Sequence, residues 1–206
     1  RPGELWHTRQ LQSTARTLTN TASGDYACPR YTIGADGGVQ PRGCYAAGTL
    51  LVQEATDEDG HTVRTFADID GRTVMTAEGR GSDMLRTRYV HDAHGRLRYV
   101  LPPTVADGAY APSDPELTDR AFAYIYDSRG RCISSRAPGC APALVRYSRA
   151  GRVVAEHSPA MASGEWTVHF YDRHGRDVLQ AIAPLTDAEL SALCDSLPVA
   201  RYDGSE

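Results

Sequence analysis

The chain has 206 residues, 41% of them hydrophobic and 23% charged, so it holds enough apolar material for a core and is not a disordered chain. Its length suits one domain or one long sheet-like module. A formal net charge of −4 excludes the basic surface of a general nucleic-acid binder, and no stretch approaches the roughly 18 apolar residues of a membrane-spanning helix.

All 22 basic side chains are arginine, set against 26 acids. Arginine grips carboxylates in a fixed two-pronged geometry, so many of these pairs are expected to be structural; a GC-rich coding sequence would produce the same bias. The 19 glycines and 12 prolines call for many turns, and 11 of the 16 aromatic residues are tyrosine, which favours strands. The opening Arg-Pro-Gly-Glu-Leu-Trp-His has neither methionine nor a signal peptide, and reads as the start of an internal fragment of a longer protein.

Along the chain, residues 1–43 form a first segment, strand-like or irregular, ending in a degenerate repeat. Cys28 and Cys44 lie symmetrically about Asp36, where they could face each other across a hairpin, either bridged or as free thiols. Cys132, Cys140 and Cys194 bring the count to five. That odd number excludes a complete intramolecular disulfide framework, and without a Cys-x-x-Cys there is no zinc knuckle or thioredoxin-type motif.

A turn signature then recurs through residues 44–183. The string Asp-x-x-Gly-Arg occurs four times, starting at Asp68, Asp92, Asp127 and Asp172. Tyr147 opens a variant with Ser148 in place of the acid, before Gly151 and Arg152; Thr56 opens one with His61 in place of the arginine; Ile33 opens a faint relative. Most of the spacings between the signature glycines are 21 to 24 residues. The aspartate accepts backbone N–H bonds, two residues form a type I turn, and the glycine takes the left-handed conformation that closes a bulged hairpin. Gly71, Gly95, Gly130, Gly151 and Gly175 are the glycines so placed. The flanks, such as RTRYVHD into GRLRYVL and WTVHFYD into GRDVLQA, alternate as strands do. Second turns are expected halfway between signatures, at Arg42–Gly43, AEGRGS, APGCAP and SPAMASG. The predicted fold is mainly β: a curled antiparallel meander of about 12 strands, with one or two short helices.

Two segments break the period. Residues 102–123 are an insertion with a short helix capped by Asp114 and led by Pro115. Residues 184–206 hold a helix over 186–197, where Thr186 and Glu189 form a capping box and Leu190, Leu193, Cys194 and Leu197 share a face that packs on the sheet.

The Tyr-Asp-x-x-Gly-Arg strings at Tyr126–Arg131 and Tyr171–Arg176 resemble the signature of the RHS/YD-repeat family, above all its large secreted or surface-associated Bacteroidetes members, through CYAAGTLLVQEATDEDGHTV, RYVLPP, YIYDSRGRCISSRAPGC and GEWTVHFYDRHGRDVLQ. The resemblance implies an antiparallel sheet forming part of the wall of a hollow shell. Its partners would be the rest of the parent protein and an enclosed C-terminal toxin domain, or a glycan at the cell surface. The family's self-cleaving aspartates have no match. The expected function is structural, without catalysis or cofactor, in a secreted or cell-surface parent; the alternative is a recognition module for carbohydrate or a protein partner.

Few side chains form a pattern that points to chemistry. Arg72, Arg96, Arg131 and Arg176 are expected to brace the sheet by binding carboxylates of a neighbouring period. Acid runs at Asp57 and Asp68 lack the glycine and twelfth-position acid of a calcium loop, and His91 with His94, or His169 with His174, sit at strand–turn positions unsuited to a metal. No Gly-x-Ser-x-Gly elbow or phosphate loop is present. Tyr89, Tyr99, Tyr124, Tyr126, Tyr147, Tyr171 and Trp166 are candidate sugar-stacking residues, with cross-strand packing the competing role. Open sheet edges predict self-association.

Overall fold

A computed structural model describes residues 13–195. Its strands are β1 (Thr14–Thr19), β2 (Pro29–Ile33), β3 (Val39–Cys44), β4 (Leu51–Thr56), β5 (Thr62–Ala67), β6 (Thr73–Arg80), β7 (Asp83–His91), β8 (Leu97–Leu101), β9 (Phe122–Tyr126), β10 (Cys132–Arg136), β11 (Ala143–Tyr147), β12 (Val153–His157), β13 (Glu165–Tyr171) and β14 (Asp177–Pro184). Two helices, α1 (Pro115–Thr118) and α2 (Asp187–Asp195), complete the elements. The fold is mainly β, and twelve strands follow antiparallel meander order while β2 and β3 pair with each other as a separate hairpin. The chain divides into two compact units at Ala121 and Phe122.

In the first unit β1 pairs with β4, from Thr14↔Thr56 to Thr19↔Leu51, and β4 to β8 follow in sequence. The chain between β1 and β4 therefore leaves the sheet and returns. Buried Asn20 closes that excursion: its side-chain amide donates to Ala46 O at 2.9 Å, and its Oδ1 accepts from Leu50 N at 2.8 Å. The half-period turn expected at Arg42–Gly43 is not there. Those residues belong to β3; the hairpin turns where the faint signature opened by Ile33 predicts, at 34–38, with Gly34 N donating to Gly38 O at 2.8 Å. The reason is local: Asp36 Oδ1 accepts from Gly38 N, and the backbone at Tyr110 approaches Gly38 so closely that only a glycine fits.

The core beneath this sheet comprises Cys28, Leu50, Val52, Phe66, Val74, Met75 and Ala77. Alternation places it: Val52 and Glu54 of β4 are buried while Leu51, Gln53 and Ala55 are exposed. Glu54 sits on the buried face because two arginines flank it in register, Arg16 on β1 and Arg64 on β5. Both donate to its carboxylate at 2.7 Å, and Tyr26 adds its hydroxyl proton at 2.7 Å under the Arg64 guanidinium. The insertion folds back on the hairpin. Val39 and Tyr110 exchange backbone bonds of 2.8 and 2.9 Å, and buried Arg88 on β7 pairs with Asp107, which also accepts from the Tyr31 hydroxyl. Asp114 caps α1 and Pro115 opens it.

In the second unit β9 to β14 pair in chain order. The capping box of α2 forms as its sequence predicts, with Thr186 N and Oγ1 each donating to Glu189 Oε2 at 2.8 Å. Leu190 is buried against Ala155 and Trp166, and Leu193 and Cys194 are half-buried beside it; Leu197 lies outside the described residues.

Burial pushes the Glu54 carboxyl up, but the bonds from Tyr26, Arg64 and Arg16 outweigh it and hold the group at about 2. A lowered folded-state pKa contributes stability that is full above the ordinary 4.5 and is lost as pH falls toward 2. Glu54→Gln strands Arg64 without a counter-charge, and is expected to lower unfolding free energy in urea by about 3 kcal/mol at neutral pH. The difference from wild type should shrink below pH 4.5; a constant difference from neutrality down to pH 2 would contradict it.

Candidate functional site

The repeat turn is built almost identically at every signature. Gly71 N donates to Asp68 O and Asp68 N to Arg72 O, both at 3.0 Å, while Asp68 Oδ1 accepts from the backbone of Asp70 and Arg72. The same bonds form at Asp92, Asp127 and Asp172. Register shifts beside Ala67, His91, Cys132, Tyr147 and Tyr171 record the accompanying bulges. Each glycine sits at positive φ, 77° at Gly71 and 80° at Gly130. His61 replaces the arginine in the 57–61 turn, and every one of these backbone bonds still forms. The turn itself therefore needs glycine and a side-chain oxygen acceptor at its first position, which Ser148 supplies as well, and not arginine.

The arginines depart from the expectation drawn from sequence. Arg72, Arg96, Arg131 and Arg176 do not reach a carboxylate of a neighbouring period. Each grips the aspartate of its own turn, Asp68, Asp92, Asp127 and Asp172, through Nε at 2.7 to 2.8 Å and through Nη2. The physical reason is reach: the bulged turn sets the arginine directly across from the aspartate that opens it. What extends to the next period is the rest of the guanidinium. Arg131 lies 4.5 Å over the Tyr147 ring and donates to Ser148 O at 3.3 Å. Arg152, whose own turn has Ser148 and no acid, lies 5.4 Å over Tyr171, and a Cβ on Gly175 would overlap its guanidinium. Arg72 occupies the same place against Gly95.

The tyrosines complete the link in the opposite direction. Tyr147 donates to Cys132 O at 3.1 Å and Tyr171 to Val153 O at 2.6 Å. Each acceptor is the residue just after the previous signature's arginine, Arg131 or Arg152. In the second unit the signature thus joins its neighbour with Arg and Tyr, while its own turn is held by its first residue and Gly. Tyr126 ends β9 with the 127–131 turn directly behind it.

Other candidates fall elsewhere. Trp166, Tyr99 and Tyr171 are buried, so they are not sugar-stacking surfaces; alternation turns them inward, and the hydroxyls of Tyr99 and Tyr171 are spent on backbone carbonyls. All five cysteines are free thiols, Cys28 buried and Cys44 exposed. Burial, then the nearby Cys44, pushes the Cys28 thiol up to about 12. Buried His169 binds Asp177 at 2.8 Å across β13 and β14, whereas His174 stays in its turn. Among the described residues no group of three His, Cys, Asp or Glu side chains is arranged for a metal.

Sequence reasoning missed a cleft of about 300 Å³ where the β2–β3 hairpin faces β6, β7 and the turn after β7. Arg30, Tyr31 and Tyr45 come from the hairpin side, and Arg72, Tyr89, His91 and the aspartates of two turns from the sheet. Tyr31 and Tyr45 bracket the hairpin in sequence, but nothing in the repeat says over which turns it lies. Burial, reinforced by Arg72, lowers the His91 pKa, which leaves the ring neutral at neutral pH.

No family model and no curated protein matches the chain.

Two outcomes follow from the turn chemistry. The backbone N–H of Arg176, then its side chain and the N–H of His174, overcome partial burial and hold Asp172 at about 2, so carboxyl NMR should show it titrating well below an ordinary aspartate; a midpoint near 3.8 would refute the turn geometry. Gly130→Ala meets nothing within 4 Å and should cost only the strain of positive φ, about 1–2 kcal/mol. Gly175→Ala should cost about 0.5–1 kcal/mol more in the wild type than in an Arg152→Ala background, because only the former must displace the guanidinium. Additive losses in a double-mutant cycle would count against the link.

Proposed function

We propose that this chain is a wall segment of a YD-repeat shell: a structural module without chemistry of its own, belonging to a larger secreted or cell-surface protein that contains or displays a cargo such as a C-terminal toxin. The observation that carries this reading is the repeated Arg–Tyr link. It couples the 127–131, 148–152 and 172–176 turns each to the next, which is how a quasi-one-dimensional array is built and extended. The last signature favours continuation. Arg176 grips Asp172 as the others grip theirs, yet its side chain is 75% exposed, against 26% for Arg131. Beside it, β14 presents Val178, Leu179 and Ile182 to solvent along an edge that pairs with no other strand among the described residues. A further repeat would cover both, from the parent protein or, for the isolated chain, from another copy.

The test is the native parent protein, read by intact mass and C-terminal sequencing. Further Tyr-Asp-x-x-Gly-Arg repeats followed by an unrelated C-terminal domain are expected. A parent that ends in an anchoring or sorting segment, with no such domain, would overturn the container reading.

A further inference from the structure

The two central residues of a signature turn are exposed in all six turns. In the first unit they are Glu58 and Asp59, Ile69 and Asp70, and Ala93 and His94. In the second they are Ser128 and Arg129, Arg149 and Ala150, and Arg173 and His174. Each turn of the second unit thus carries one arginine at its tip, and none of the first unit does. Meander order puts the three second-unit turns, β9–β10, β11–β12 and β13–β14, at one end of their strands. Strands about 4.8 Å apart set neighbouring tips about 10 Å apart. Arg129 Nη1 donates to Arg149 O, so these two tips stand side by side. The turns at the opposite end, 137–142 and 158–164, hold no charged residue.

The acids at the arginine end are already bound. Arg131 grips Asp127, Arg176 grips Asp172, Arg149 pairs with Asp195, and Asp177 binds His169. Arg129, Arg152 and Arg173 have no carboxylate partner among the described residues. This end therefore has surplus positive charge on a chain whose net charge is −4.

We infer that the arginine row docks the chain on an anionic lipid bilayer, with Arg129, Arg149 and Arg173 on the headgroup phosphates. The tips are protruding turns, not a pocket, so they impose no shape on a folded partner. Lipids of a fluid bilayer diffuse to meet charges about 10 Å apart, whereas a folded acidic protein must already present carboxylates at that spacing. No aromatic ring occupies a tip position, and single-stranded nucleic acid is held by such rings. Ser128, Ala150 and the turn glycines are small, so the guanidinium groups can reach the headgroups. No large apolar side chain stands with them to insert, so the contact is electrostatic and peripheral. Arg149 can exchange Asp195 for a phosphate, because both partners of that pair are exposed. The row lies at one end of the second unit, and its charge does not depend on the wall reading.

Co-sedimentation of the whole chain with vesicles of equal parts phosphatidylglycerol and phosphatidylcholine, and with pure phosphatidylcholine vesicles beside them, tests the inference. At low ionic strength, binding to the anionic vesicles alone is expected, and it should fall as salt is added. Arg173→Gln should weaken it about fivefold, and Arg129→Gln combined with Arg173→Gln about 25-fold. Arg173 is exposed and makes no ion pair among the described residues, so the melting temperature should not move. Arg42→Gln removes the same charge from an exposed position on β3, and should change binding less than about twofold. Equal binding to the neutral vesicles, no binding to either at low salt, or an Arg42→Gln loss as large as that of Arg173→Gln would each overturn the inference. Displacement from the vesicles by a glutamate-rich peptide or by duplex DNA, at matched charge concentration, would overturn it in favour of that partner.

Discussion

The architecture depends on the division of labour within one guanidinium. Nε and Nη2 of the signature arginine are committed to the aspartate four residues earlier, which locks the side chain in a single direction. That fixed direction sends the remaining Nη1 and the planar face to the next turn, onto its tyrosine and its glycine. A lysine would supply a point charge and no plane, and could satisfy one of these demands at a time. An all-arginine complement therefore suits this sheet for a geometric reason, and the row of exposed Arg16 with buried Glu54 and Arg64 uses the same property across three strands.

The glycines accordingly carry two constraints at some turns and one at others. At Gly130 and Gly71 the requirement is conformational, since nothing lies within 4 Å of the place a Cβ would take. At Gly95 and Gly175 the same positive φ is joined by the arginine of the preceding signature. The Ser148 variant shows how tolerant the scheme is. Without the acid, Arg152 is held in its own turn only through its backbone N–H to Ser148 Oγ, and its guanidinium crowds Gly175 while lying 5.4 Å from the Tyr171 ring, farther than the 4.5 Å of Arg131 from Tyr147.

The irregular parts do what a repeat alone does not. Regular turns make a surface whose polar groups are satisfied by their neighbours. The excursion closed by Asn20, together with the insertion held by Arg88, Asp107 and the Val39–Tyr110 bridge, lays a hairpin over that surface and creates concavity. The cleft lies where that hairpin faces two repeat turns whose carboxylates are already bound by their own arginines.

Much of this was readable from the residues alone. Asp-x-x-Gly-Arg spells out a bulged turn because each of its hydrogen bonds is local, spanning four residues or fewer, and the Thr186–Glu189 box marks its helix for the same reason. Alternation marked the strands and the two kinds of turn implied a meander of about twelve; the structure has twelve in the meander and two more in the separate β2–β3 hairpin. Three things needed the tertiary structure. β1 pairs with β4 because a buried asparagine joins positions 30 residues apart, a contact with no sequence pattern of its own. The arginines bind within their turns and stack between them, a choice set by the bulge and the spacing of adjacent strands. Trp166, Tyr99 and Tyr171 lie inside while Tyr89 faces the cleft, because alternation says which residues share a face but only packing against α2, the hairpin and the insertion decides which face is covered.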